Sequence, residues 1–118
     1  MARILKRRRR FGAFMQEQER DPPQYGLWAG FIPECFVKVP VDLRFSFVLL
    51  DVDNYEPTRD SLAWIWPRMN CNGILALDDF YPRHDGEASL AIKEFLRQAD
   101  DYHIVDRVNA QLVLRKTR

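Results

Sequence analysis

The sequence predicts an α/β fold with a partly parallel sheet, and three observations carry that prediction. Two apolar runs, Phe45-Ser46-Phe47-Val48-Leu49-Leu50 and Ile74-Leu75-Ala76-Leu77, each end in acids: Asp51 and Asp53 after the first, Asp78 and Asp79 after the second. The stretch between them spaces Leu62, Ile65 and Trp66 as one face of a helix, which makes a strand, helix, strand unit whose strands run parallel. A further amphipathic segment and two short β-prone segments then close the chain.

Taken in order, residues 1–26 form a basic segment in which Phe11, Phe14 and Met15 recur at helical spacing. A helix is expected there, ending at Pro22-Pro23, because two prolines cannot continue it and hold the preceding residue extended. Residues 24–29 suit a short strand, and residues 34–37 a loop or a short turn of helix. Residues 45–50 are apolar except for Ser46, the composition of a strand buried on both faces. The next helix is expected over residues 59–68, with Thr58 or Asp60 as cap and Pro67 bending or ending it. The second strand follows at residues 74–77, and residues 80–86 are a loop. Residues 87–98 read as an amphipathic helix with Leu90, Ala91, Phe95 and Leu96 inward. Residues 102–105 and 111–114 form an antiparallel hairpin.

With 118 residues the chain has the length of one domain, near the low end for an α/β sheet. Hydrophobic residues at 47%, charged residues at 30% and a net charge of +1 describe a globular chain without a global pull toward nucleic acid or membrane. No apolar run approaches the ~18 residues that a membrane-spanning helix needs. Cys35 and Cys71 fit no metal-spaced or redox motif, and they read as free thiols of a reducing cytoplasm.

Acids that follow two neighbouring parallel strands gather along one rim of the sheet, where ligands of open α/β folds sit. Several carboxylates crowded together repel one another unless a cation neutralises them. A hard divalent ion with oxygen ligands, magnesium or a similar one, is the natural partner. The competing reading for Asp78 and Asp79 is helix capping or loop solvation.

The blocks Asp51-Val52-Asp53-Asn54-Tyr55-Glu56-Pro57-Thr58, Gly73 through Asp78-Asp79-Phe80, and Gly86 with Ala91, Glu94 and Phe95 resemble the second half of the macrocin O-methyltransferase family. Upstream, Gly30-Phe31-Ile32-Pro33-Glu34 is similar to the element that precedes the family's first acid block, so the resemblance covers residues 27–114. Pro57 stands where the family usually has serine, and Asn72 replaces the first glycine of a pair; asparagine tolerates the left-handed conformation that such a turn uses. The resemblance implies the C-terminal half of a Rossmann-like class I methyltransferase sheet, with the final strand inserted beside the second acidic strand.

It also implies the chemistry: metal-dependent methyl transfer from S-adenosylmethionine to a hydroxyl of a sugar or another small molecule. Asp51, Asp78 and Asp79 would be the metal ligands, and Asp51 the general base that deprotonates the hydroxyl, with Asp53 its competitor. Tyr55 and His84 are possible additional contacts, against the plainer readings of a packing tyrosine and a solvated loop histidine. The family's cofactor half, with its first strand and glycine-rich turn, has no counterpart. The glycines are Gly12, Gly26, Gly30, Gly73 and Gly86, and none forms a G-x-G turn after an apolar strand. The expectation is therefore a partial domain over residues 27–118, truncated or completed by a partner.

Two further expectations follow. The strand at residues 45–50 should present an uncovered edge and face, favouring self-association or a partner chain, with Phe47, Leu49 and Trp64 as contact candidates. The run Lys6-Arg7-Arg8-Arg9-Arg10 would suit an arm on nucleic acid or an anionic surface, but it is short, terminal and balanced by acids elsewhere, so a solvated helix face is the stronger reading. Trp28, Trp64 and Trp66 are expected in a core or an apolar interface.

Overall fold

The two acid-ended runs become neighbouring parallel strands in a computed structural model that describes residues 2–4 and 26–118. In chain order the elements are β1 (Ala2–Ile4), β2 (Gly26–Trp28), a 3-10 turn (Glu34–Lys38), β3 (Phe45–Leu50), helix α1 (Tyr55–Ile65), a second 3-10 turn (Trp66–Arg68), β4 (Met69–Leu77), helix α2 (Glu87–Gln98), β5 (Tyr102–Val108) and β6 (Gln111–Lys116). β1 and β2 pair in parallel as a separate ribbon, and the other strands form a mixed sheet of order β3-β4-β6-β5. Although last in the chain, β6 lies between β4 and β5 and runs antiparallel to both. The final strand thus sits beside the second acid-bearing strand, as the family resemblance implies.

Side chains alternate across the pleat, so each strand offers one set to the helices and the other to the opposite face. Leu50, Leu75, Leu77, Leu112 and Leu114 pack with Leu62 and Ile65 of α1 and Ile92 of α2 into one core. The register Leu50↔Leu77↔Leu112 aligns three of these leucines across three strands. At the far end Trp66 closes the core: its indole N–H donates to Asp101 at 2.9 Å, and the buried Lys116 ammonium donates to its carbonyl at 2.7 Å. On the opposite face Phe47 and Leu49 remain 48% and 52% exposed.

Several boundaries differ from the sequence reading. Helix α1 begins at Tyr55 behind Asn54 rather than at residue 59, because Pro57 falls in the first turn, where a backbone N–H has no intrahelical partner to lose. Thr58 is therefore not the cap; it lies inside that turn, and its hydroxyl donates to the carbonyls of Asn54 (2.7 Å) and Val52 (3.2 Å). Asp60 lies deeper still in the helix. Pro67 falls in the 3-10 turn that follows, so the helix ends at Ile65.

β4 starts at Met69 rather than at residue 74, and its register against β3 shifts between Phe45 and Phe47. Asn72 there adopts φ 67, the left-handed conformation that asparagine accepts. A Cβ on Gly73 would meet the carbonyl oxygens of Asn70 at 2.8 Å and Phe45 at 3.2 Å, so close backbone approach requires glycine. In α2 the bounds agree and Ala91 is buried as expected, with Ala88 and Ile92 beside it, while Leu90 is only half-buried. Ala2–Ile4 is a strand where a helix is expected, because pairing with Gly26–Trp28 supplies ladder bonds that override local preference. The helical patch of Phe11, Phe14 and Met15, the Lys6-to-Arg10 run and the Pro22-Pro23 break lie outside the described residues.

Cys35 and Cys71 are free thiols, the first buried and the second exposed. Among the described residues no helix is long and apolar enough to cross a membrane.

Candidate functional site

The parallel pairing of β3 and β4 continues to their last residues: the Asp78 N–H donates to the Leu50 carbonyl at 3.0 Å. Asp51 and Asp78, each one residue past that point, are thereby set side by side. Asp79 follows with φ 61, a conformation that aspartate accepts more readily than most residues. This turn lets consecutive acids reach one spot instead of opposite faces. One carboxylate oxygen from each of Asp51, Asp78 and Asp79 lies within 4.8 Å of the other two. The next residue anchors the turn, since the Phe80 N–H donates to the Ala110 carbonyl at 2.8 Å.

The electrostatics follow from the geometry. Burial pushes the Asp79 carboxyl above its usual range, and a hydrogen bond with Asp53 and the charges of Asp78, Asp53 and Asp51 push it further. Three hard oxygen donors within reach of one point, one of them resisting ionisation, fit a divalent cation that would relieve the repulsion. Asp53 is exposed and joins the group through Asp79 rather than as a member of the close triad.

Tyr55 and His84 do not enter the triad. Tyr55, the first residue of α1, donates its hydroxyl to Glu94 Oε2 of α2 at 2.6 Å, and this bond is the main reason its pKa is raised. The tie joins the two helices just below the rim. This role of Glu94 is not visible in the sequence, because a contact across 39 residues leaves no local signal. His84 is exposed and lines an open pocket of about 320 Å³ with Tyr81, Pro82, Arg83, Arg107 and Asn109. Of these only His84 is a candidate from the sequence; Arg107 arrives through the β5–β6 hairpin.

The fold can be compared with solved structures. By sequence the chain matches no protein-family model and no curated protein. By structure it is similar to the O-methyltransferase NovP, with a TM-score of 0.64 and 23% identity over 80% of this chain and 38% of that one. It is also similar to CalS11, a TDP-rhamnose 3'-O-methyltransferase of calicheamicin biosynthesis, with a TM-score of 0.57 and 24% identity over 79% of this chain and 42% of that one. The architecture is part of a methyltransferase fold. At these identities the likeness is one of fold, and the chain spans about two fifths of the length of each of these solved structures.

Proposed function

We propose that this chain is the metal- and acceptor-binding part of an S-adenosylmethionine-dependent O-methyltransferase of the macrocin O-methyltransferase kind, acting on a hydroxyl of a sugar or another small molecule. The observation that carries this reading is the convergence of Asp51, Asp78 and Asp79 on one rim, in a fold shared with two O-methyltransferases. A sugar acceptor has the support of CalS11, whose name gives TDP-rhamnose as its substrate.

Asp51, Asp78 and Asp79 would hold a divalent cation, magnesium or a similar hard ion, which would supply the positive charge that makes a nearby hydroxyl more acidic. Asp51 takes the proton from the acceptor hydroxyl onto a carboxylate oxygen, with Asp53 as the alternative base. The Tyr55–Glu94 bond fixes the helix start just behind Asp53 and keeps the rim in shape.

Among the described residues no G-x-G turn follows an apolar strand, so these residues do not by themselves offer S-adenosylmethionine the glycine-rich cradle of the resembled family. β3 ends the four-stranded sheet with β1 in contact with it, and its half-exposed Phe47 and Leu49 offer a face on which a second copy or a partner chain could pack. Trp64 is taken up elsewhere, stacked on Phe36 with ring centroids 4.4 Å apart. A second reading, a partner-dependent scaffold without catalysis, has the support of the same missing turn. The two free thiols suit a cytoplasmic setting.

Calorimetric titration with magnesium, followed by S-adenosylmethionine, tests the proposal. Magnesium should bind the wild-type chain and not Asp78→Asn/Asp79→Asn; equal binding by both would remove the metal rim from the reading. Cofactor heat is expected only once a partner unit is supplied.

A further inference from the structure

We infer that the pocket beside the acid rim is an anion subsite, which takes the phosphate or diphosphate end of the acceptor while its hydroxyl faces the aspartates. The inference rests on the proposed acceptor-binding function and adds a substrate class to it.

The pocket opens immediately after the triad, since Tyr81 is two residues beyond Asp79 and Asn109 precedes Ala110, the acceptor of the Phe80 N–H. One wall is the loop Tyr81, Pro82, Arg83 and His84; the other is the end of β5 and its turn, with Arg107 and Asn109. Its volume of about 320 Å³ is at the small end of the range for small-molecule sites, roughly 300 to 1,000 Å³. Two guanidiniums and an imidazole line it without an acid among the lining residues. Among the described residues neither Arg83 nor Arg107 forms an ion pair. Of the neighbouring carboxylates, Asp85 is paired with Lys93 at 2.8 Å, and Asp106, which is not among the lining residues, accepts from the Arg107 backbone N–H at 2.8 Å.

The walls are held in place before any ligand arrives. The buried Ser89 hydroxyl accepts from the Tyr81 N–H at 3.0 Å and donates to the Tyr81 carbonyl at 2.7 Å. The His84 N–H closes a turn onto the Tyr81 carbonyl, and Lys93 donates to the His84 carbonyl at 2.9 Å. Asn109 takes φ 55 in the hairpin turn, within the range asparagine accepts. Preorganised walls lower the ordering cost of binding, and paired guanidiniums match phosphate oxygens in geometry as well as charge. The adjacent aspartates would repel a lone anion. A ligand with a phosphate at one end and a neutral hydroxyl at the other meets both fields correctly, so the two patches together select it.

The test is amide NMR of the full chain in EDTA, titrated with inorganic pyrophosphate and with uridine diphosphate, for the wild type and Arg83→Gln/Arg107→Gln. Both arginines are exposed and outside the core, so the variant should keep the wild-type spectrum elsewhere. Shifts centred on residues 81–84 and 107–109, with affinity falling at least tenfold in the variant and on raising salt, are expected. Tighter binding of uridine diphosphate than of pyrophosphate would assign the subsite to an organic diphosphate, and equal binding to the phosphates alone. No shifts at these residues, shifts unchanged in the variant, or stronger binding of a single-stranded oligonucleotide would overturn the inference. The metal rim is read separately, from magnesium-induced shifts at Asp51, Asp78 and Asp79 without phosphate, so either proposal can fail while the other stands.

Discussion

The two faces of the four-stranded sheet differ: leucines of three strands line the helix side, while on the other the apolar Phe47, Leu49, Ile74 and Ala76 of β3 and β4 give way to Arg115, His103 and Asp106 on β6 and β5. On the helix side Leu75, Leu77, Leu112 and Leu114 are at most 1% exposed, while across the sheet Phe47 and Leu49 are about half exposed. Ala76 on the second face is sheltered only because its short side chain lies between Leu49 and Val113 in the register. A strand that is apolar at nearly every position, as β3 is, is composed for cover on both sides. α1 and α2 supply one cover. The difference locates stability on the first face and leaves association through the second as the expectation to test, with the acid rim at the strand ends between them.

The largest effect should come from cutting into the covered face. Leu75→Ala, at a fully buried position, should cost about 2 to 5 kcal/mol in chemical denaturation. Phe47→Ala, on the other face, should cost under about 1 kcal/mol in dilute solution, since partly exposed positions contribute little to the monomer. Similar costs at low protein concentration would erase the contrast between the faces. Phe47→Lys with Leu49→Lys sharpens it further: sedimentation velocity should show the wild-type chain associating as concentration rises and the double variant staying monomeric. A wild-type chain that is monomeric at all concentrations would leave the open face without a role in association.

Metal binding comes next in size. At a hundredfold excess over Kd, magnesium should add about 2.7 kcal/mol to stability, a thermal shift on the order of ten degrees for a chain of this length. Asp79→Asn is the informative variant, because asparagine also accepts the φ of 61 at that position. It should raise metal-free stability by relieving repulsion, and it should lose the magnesium shift. A variant less stable than the wild type in EDTA, or one still shifted fully by magnesium, would break the electrostatic account of the rim.

Much of this was legible in the sequence where one local pattern had one outcome. The bounds of α2 follow from Gly86 and an amphipathic run, and the meeting of Asp51 with Asp78 follows from two parallel strands ending together. Legibility failed where one residue type serves two purposes. Pro57 reads equally as a breaker and as a first-turn residue, which hid the first turn of α1. Asn72 and Gly73 read as a turn but lie within β4, because an irregular register absorbs the left-handed Asn72. Arg107 and Glu94 gain their positions from hairpin register and helix packing, and the β5 bulge between Ile104 and Asp106 sets which face Arg107 presents. Such placements depend on partners distant in the chain.

The smallest effect separates the rim from the rest of the surface by its response to pH. Asp79 has a folded-state pKa above its unfolded value, so the folded chain holds that proton more tightly. Its contribution is complete below about pH 3.9 and is lost as pH rises through the raised value. Asp85 behaves in the opposite sense, because the hydrogen bond from Lys93 and its charge lower its pKa. Its contribution is present above about pH 3.9 and is lost as pH falls through the lowered value. The two windows lie on either side of the ordinary aspartate range, so one pH series of denaturation curves in EDTA reads both. Asp79→Asn should flatten the upper limb and leave the lower one, and Asp85→Asn the reverse, with the smaller change at the exposed Asp85. Magnesium should flatten the upper limb as well, since a bound cation keeps Asp79 ionised in the folded state. An upper limb that persists in Asp79→Asn would move the strain out of the rim and into some other acid of the fold.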